Sequence, residues 1–421
     1  MRTLLRLFDR SRVPAPSARS AWLEASSSAQ NGPTSGLIVV ETRVTGDAAA
    51  PATLRLFAGG DRRPVLERPI RLAPEGETAW LALHGHLLPN GPALLRLELA
   101  DEAGRRLAEQ SLTVHIRNEG AIAEAVRASL RRNGVPMAVT EMDSRLYDYA
   151  DESLRAWFDR SPEAIEAHLA GLSESGRATA EEIAALRRFV DEGYLTLDDV
   201  VAPEHLARLN AALDDAVDKR IEGYEWGASQ RLHNLHLDYP AIHELWLHPK
   251  IIRMLGLIFD GAGRPCQSLT YVFGSEQQYH QDTIHLTSFP AGRMCGVWTA
   301  LEDVQPDSGE LVVFPGSHRL PRVYMKDVGA KKVTGDWTEF GDTVVPRWTE
   351  LLGNRFRREV YRPKAGTALI WHENLMHAGS MRRDRSKSRR SIVGHYFAEG
   401  SVVYYDSSGM PGLLYEGELP A

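Results

Sequence analysis

Two stretches decide how the C-terminal half of the chain folds: Gln278-Tyr279-His280-Gln281-Asp282 and, much later, Gly366-Thr367-Ala368-Leu369-Ile370-Trp371-His372-Glu373-Asn374-Leu375-Met376-His377-Ala378-Gly379-Ser380. The first lies between apolar runs, 269–273 and 284–286, that read as strand. Residues two apart on a strand project to one face, which sets the His280 imidazole beside the Asp282 carboxylate. An H-x-D triplet alone is common on exposed polar strands, so it needs a partner. The second stretch supplies one, because its apolar strand runs into a turn that delivers His377. Two imidazoles and one carboxylate form a three-ligand set with open positions, which suits Fe(II) that must also bind a cosubstrate and O2.

Working outward, Arg389-Arg390-Ser391-Ile392-Val393-Gly394-His395-Tyr396-Phe397 alternates as a strand, with Arg389 and Ser391 on one face. A guanidinium with a neighbouring hydroxyl is a receptor for a buried carboxylate and would fix the far end of 2-oxoglutarate. Only one of Arg389 and Arg390 can face the interior. His285, His318 and His372 are candidates for substrate contact, since a fourth protein ligand would close the site. Asp307-Ser308-Gly309 and Pro315-Gly316-Ser317-His318 read as turns.

The helical periodicity upstream predicts a helix over 179–193, with Ile183, Leu186, Phe189 and Val190 on one face and Gly193 as C-cap. A short strand 194–197 and a helix 202–219 opening at Pro203 follow. Helix, strand, helix and then many strands is the order of a jelly roll with packed helices, so residues 181–421 are expected to form a double-stranded β-helix, cupin-like domain. Residues 21–117 alternate in short apolar runs at 37–40, 53–57, 79–83, 93–99 and 112–116, which predicts an immunoglobulin-like β-sandwich. Residues 118–180 read as a helical connector, and residues 1–20 as a leader whose arginines break every apolar run. The fold class is mainly β with helices.

With 421 residues, 43% hydrophobic and 25% charged, the chain is of globular composition and long enough for two or three domains. Fifty-six acidic against 49 basic residues give a net charge of −7, which argues against a chain built to coat nucleic acid. Cys266 and Cys295 are too few for a disulfide framework and lack metal spacing, so both read as reduced and buried. No run approaches a membrane span. These features together predict a cytoplasmic protein without stable membrane insertion.

In order along the chain, Phe189-Val190-Asp191-Glu192-Gly193-Tyr194-Leu195-Thr196-Leu197-Asp198-Asp199-Val200-Val201, Tyr279-His280-Gln281-Asp282, Val297-Trp298-Thr299-Ala300-Leu301-Glu302-Asp303-Val304 and Asp307-Ser308-Gly309-Glu310-Leu311-Val312-Val313-Phe314-Pro315-Gly316-Ser317-His318 resemble the phytanoyl-CoA dioxygenase family of Fe(II)/2-oxoglutarate oxygenases. The resemblance spans about 186–397, half the chain. It implies His280, Asp282 and His377 as iron ligands and Arg389 as the 2-oxoglutarate clamp, assisted by Ser391, and, from the polar residues that family members carry on the strand before H-x-D, Gln267 and Thr270 as further contacts of the cosubstrate. The family usually has H-G-S-x-x-N before the arginine, whereas His377 is followed here by Ala378-Gly379-Ser380-Met381-Arg382, and Arg389 falls one residue later than the pattern leads one to expect. Arg390 therefore stays open as the alternative.

The resemblance implies a dioxygenase that hydroxylates a C–H bond of a small or conjugated substrate, of acyl, glycan or natural-product type. The rival is a jelly-roll protein that binds metal for recognition without turnover. Residues 319–362 hold ten Lys or Arg against six Asp or Glu, and their clusters at Lys331, Lys332, Arg355, Arg357 and Arg358 sit alongside Trp337, Phe340, Trp348 and Phe356. This insert is expected to form a lid that recognises an anionic substrate.

Overall fold

The computed structural model describes residues 21–30, 32–60 and 62–420; the leader expected at 1–20 lies outside them. Helix Ala180–Glu192 begins where the sequence predicts. The Thr179 hydroxyl accepts from Glu182 N at 3.2 Å while the Glu182 carboxylate accepts from Thr179 N at 2.8 Å, a reciprocal capping box. It ends at Gly193, whose φ of 83° is the left-handed conformation that suits glycine. Strand Tyr194–Leu197 and helix Pro203–Asp218 follow as predicted.

That first strand is the edge of a six-stranded antiparallel sheet. Its order is Tyr194–Leu197, Ala368–His372, Met294–Ala300, Ser391–Ala398, Gly263–Tyr271, Arg231–His233. One face buries Val297, Ile370, Ile392 and Tyr396 under the helices that pack across it. The other face packs Leu269, Tyr271, Trp298, Leu369, Trp371 and Val393 against Leu311 and Val313 of a smaller sheet, Glu359–Tyr361, Leu311–Val313, His377–Gly379. Two antiparallel sheets facing each other across an apolar core make the jelly roll.

Upstream, two sheets of four and five strands share a core of aliphatic residues from Leu37–Gly46, Ala50–Ala58, Glu77–His84, Gly91–Asp101 and Arg106–Ile116. Strands Ala21–Ser27 and Leu66–Leu72 belong to these sheets without having been expected, since their burial is incomplete and their apolar signal weak. The connector contains helices Gly120–Arg132 and Pro162–Glu174, with short turns between. Leu37 and Ala82 of the upstream sheets, Val126, Leu130 and Tyr147 of the connector, and Phe289, Val402 and Tyr404 downstream form one buried cluster. Of the two cysteines, Cys295 is buried and Cys266 is only partly so, a correction to the expectation for the latter. No helix among the described residues is long and apolar enough to cross a membrane.

Gly193 ties the helix end to the site. Its carbonyl accepts from His372 N at 2.9 Å, the Glu192 carbonyl accepts from Gly316 N at 2.8 Å, and His318 Nε2 donates to the Val190 carbonyl at 3.1 Å. A Cβ at Gly193 would collide with the His318 ring. Gly193→Ala is therefore expected to destabilise the protein by ~2 kcal/mol or more, from the left-handed backbone together with the collision, as read by urea unfolding; an unchanged midpoint would show that this junction yields.

Candidate metal centre and cosubstrate pocket

The two histidines of the proposed triad meet through their backbones. His280 N donates to the His377 carbonyl at 3.0 Å and His377 N donates to the His280 carbonyl at 3.1 Å, an isolated antiparallel bridge at the end of the smaller sheet. The strand expected through H-x-D is not formed: strand Gly263–Tyr271 ends before it, and Asp282–Ile284 is a short 3-10 turn. The turn returns the carboxylate toward His280, which is why strand alternation and the true geometry give the same juxtaposition.

Around the bridge the side chains converge. Asp282 Oδ1 stands 3.6 Å from His280 Nε2 and 3.8 Å from His377 Nε2, all three residues being buried. Each Nδ1 faces a carbonyl, that of Gln278 at 2.8 Å and that of Leu375 at 3.0 Å, and must donate there. Both Nε2 lone pairs are thus left for a cation. Asp282 Oδ2 accepts from Trp371 Nε1 at 2.8 Å, so Oδ1 is the oxygen that remains. Burial works to raise the Asp282 carboxyl, but His377, His395 and His280 with the Trp371 donor outweigh it and hold it at about 2. Burial first, and then neighbouring His377, push His280 well below its ordinary value. A neutral His280 imidazole beside an ionised Asp282 carboxylate suits a divalent cation. His280, Asp282 and His377 form a group able to hold a metal ion.

Other contacts steady this arrangement. Met376 N donates to Ser317 Oγ at 2.9 Å, and Asn374 Nδ2 donates to the carbonyls of His318 and Leu320. Glu373, 1% exposed, accepts from Arg322 Nε at 2.8 Å, and Arg322 also reaches Asp159 at 2.8 Å. Pro315 to His318 is thus a brace for the turn that carries His377. His318 and His372 serve the same scaffold; neither lines the cavity beside the triad, whereas His285 does.

That cavity, of about 820 Å³, opens between the two sheets. In its wall Arg389 is 98% buried, its guanidinium has no hydrogen bond or ion pair among the described residues, and its Cζ lies 5.5 Å from the ring centres of Tyr271 and Trp298. Burial lowers it to about 10, so it stays charged at neutral pH. Ser391 Oγ and Trp298 Nε1 are buried without partners as well. Trp298 lines the cavity, whereas Ser391 is paired with Tyr271 in the sheet and does not line it; an unpaired cation in the cavity wall calls for an anionic ligand with acceptor oxygens. Arg390 turns the other way, to Asp214 at 2.7 Å and Asn210 at 3.2 Å.

Gln267 lines the cavity with its side chain between His395 and Tyr405. Thr270 does not, which corrects its expected role: it pairs with Ile392 on the helix-covered face, because three residues along a strand reverse the side. The basic clusters of the insert also fall elsewhere. Arg355, Arg357 and Arg358 are exposed away from the cavity, with Arg357 paired to Glu359, and Lys332 is bound to Asp406 and Asp143. Trp337, Phe340 and Trp348 of the insert do line it, while Phe356 does not. Sequence reasoning missed Trp371, Trp298 and Arg231; for the first two, the signal was their inward parity on strands already recognised.

Two facing sheets, a two-imidazole, one-carboxylate centre and an unpaired arginine in the same cavity define a candidate metal-dependent oxygenase site. Residues 189–391 match the family model for phytanoyl-CoA dioxygenase (PhyH). The chain is 36% identical over 180 residues to phytanoyl-CoA dioxygenase domain-containing protein 1 of Mus musculus, covering 41% of this chain and 58% of that relative. It is 23% identical over 258 residues to a probable phytanoyl-CoA dioxygenase of Caenorhabditis elegans, covering 53% of this chain and 78% of the relative. Among solved structures, the non-heme alpha ketoglutarate dependent carbocyclase SnoK from nogalamycin biosynthesis is similar at 21% identity and a TM-score of 0.44, over 58% of this chain and 96% of that one.

Gly296 lies opposite Trp371 on the neighbouring strand, and a Cβ there would fall inside the Trp371 indole. Gly296→Ala is expected to displace the donor that orients Asp282 and to weaken Fe(II) affinity ~10- to 100-fold in anaerobic titration. Undiminished affinity would show that Trp371 does not orient the carboxylate.

Proposed function

We propose that the protein is a non-haem Fe(II)- and 2-oxoglutarate-dependent dioxygenase that hydroxylates a C–H bond of a small or conjugated organic substrate. The observation that carries this reading is the buried, unpaired Arg389 in the same cavity as His280, Asp282 and His377. A metal-binding recognition protein has no use for an orphan cation beside its metal, whereas a keto diacid needs one anchor at each end. Bound together, iron and 2-oxoglutarate supply oxygen activation coupled to decarboxylation of the keto acid to succinate.

The chain's own groups have separate tasks. His280 and His377 present Nε2 and Asp282 presents Oδ1, so the protein fills one side of the metal and leaves the rest to ligands. Arg389 binds the distal carboxylate of the cosubstrate through charge-assisted hydrogen bonds, with Ser391 and the Trp298 indole N–H as further partners. Gln267 lines the wall near His395. Tyr271 and Trp298 shield the guanidinium from water, which strengthens its hold on an anion.

His280→Ala or Asp282→Ala is expected to abolish succinate formation, because each removes one of three ligands; activity retained in both would overturn the metal assignment. Arg389→Gln is expected to raise the 2-oxoglutarate requirement on the order of 100-fold, against less than ~3-fold for Arg390→Gln, as read from KM for the cosubstrate. Equal effects, or the reverse order, would move the clamp.

A further inference from the structure

Two of the chain's basic side chains line the cavity among the described residues: Arg389, deep in the wall, and Arg231. Arg231 stands on the edge strand Arg231–His233 opposite Tyr271, and paired residues share a face, so it points the way Tyr271 points. It is half-buried, and its guanidinium donates to the Gln277 side-chain oxygen at 3.2 Å. It has no ion pair among the described residues. The acid that lines the same rim, Glu222, is occupied by His233, whose Nδ1 lies 2.9 Å and whose backbone N lies 3.1 Å from its two oxygens. The charge of Arg231 acts on Tyr271, His285 and His395, which are all cavity residues.

The insert supplies an apolar wall in the same cavity. Phe340 lies 5.1 Å from His285, 5.2 Å from Trp337 and 5.7 Å from Trp348, ring centre to ring centre. Trp348 Nε1 donates to Gln281 Oε1 at 3.2 Å, and its ring lies 6.2 Å from His280. The residue between two proposed ligands therefore fixes the aromatic wall beside the metal centre. Trp337, 51% exposed, forms the rim.

Resting on the proposed oxygenase reading, we infer that the substrate is an organic carboxylate with a flat, apolar body: Arg231 holds the carboxylate, and Trp337, Phe340 and Trp348 hold the body. A single guanidinium matches one negative charge and two acceptor oxygens in a planar fork, which favours a carboxylate over a dianionic phosphate ester. The flat rings offer stacking area at the end of the cavity nearest the metal. The anion preference expected from the insert is kept, but its source moves from the exposed arginines of the insert to the sheet edge.

The test is calorimetric titration of the full chain, loaded anaerobically with Fe(II) and saturating 2-oxoglutarate, with trans-cinnamate and 2-naphthoate and with their neutral amides. The carboxylates are expected to bind at least ~10-fold more tightly than the amides. Arg231→Gln should remove that preference while leaving 2-oxoglutarate affinity within ~3-fold, and Trp337→Ala should weaken acid and amide alike. Equal binding of acids and amides, or a preference that survives Arg231→Gln, overturns the inference. Loss of 2-oxoglutarate affinity in Arg231→Gln also overturns it, by assigning Arg231 to the cosubstrate. A wild-type chain that shows the carboxylate preference yet takes up no 2-oxoglutarate supports the Arg231 anchor and contradicts the proposed activity.

Discussion

The backbone bridge between His280 and His377 is the constraint on which the site depends. Two reciprocal hydrogen bonds bring together residues far apart in sequence and fix both imidazoles to the same edge of the smaller sheet. Everything adjacent serves to keep that edge in place. The turn before His377 is held by Ser317, by Asn374 and by the Arg322 bridge to Glu373 and Asp159. Removing Arg322 would take the cation from the buried Glu373 carboxylate and leave it only the hydrogen bonds from Ser288 Oγ and Gly292 N, a costly loss for a buried charge. The helix ending at Gly193 closes the arrangement from outside, because its last carbonyls receive both the Gly316 and the His372 amides.

A second constraint is the cost of Arg389. Burying a guanidinium without a partner is unfavourable by several kcal/mol, and its lowered pKa records that burial. On the proposed function, a fold that keeps such a group against Trp298 and Tyr271 is organised around an anionic ligand. The same reasoning separates Arg389 from Arg390, whose Asp214 and Asn210 contacts give it a complete set of neighbours on the helix-covered side. Charge that is already paired steadies the fold; charge left unpaired in a cavity waits for a ligand.

How much of this was legible in the sequence follows from the range of each signal. Capping at Thr179 and Gly193 is local, and the helix ended where those residues said it would. The convergence of His280, Asp282 and His377 was legible because three chemically unusual residues sit at the ends of apolar runs, even though the H-x-D segment is a bridge and a turn rather than a strand. Thr270 was misjudged because its strand is a sound assignment whose parity was not counted from Gln267. The insert was read from net charge, which does not say where side chains point: Arg355, Arg357 and Arg358 are exposed and do not line the cavity, while Trp337, Phe340 and Trp348 do. Arg231 stands on a strand of three residues at a sheet edge, too short for periodicity to register.

The most direct measurement is a crystal structure grown anaerobically with Fe(II) and 2-oxoglutarate, with anomalous data collected at the iron edge. The account predicts one anomalous peak per chain, bounded by His280 Nε2, Asp282 Oδ1 and His377 Nε2, with the far carboxylate of 2-oxoglutarate on the Arg389 guanidinium. Iron bound elsewhere, or a keto acid whose distal end avoids Arg389, would contradict it.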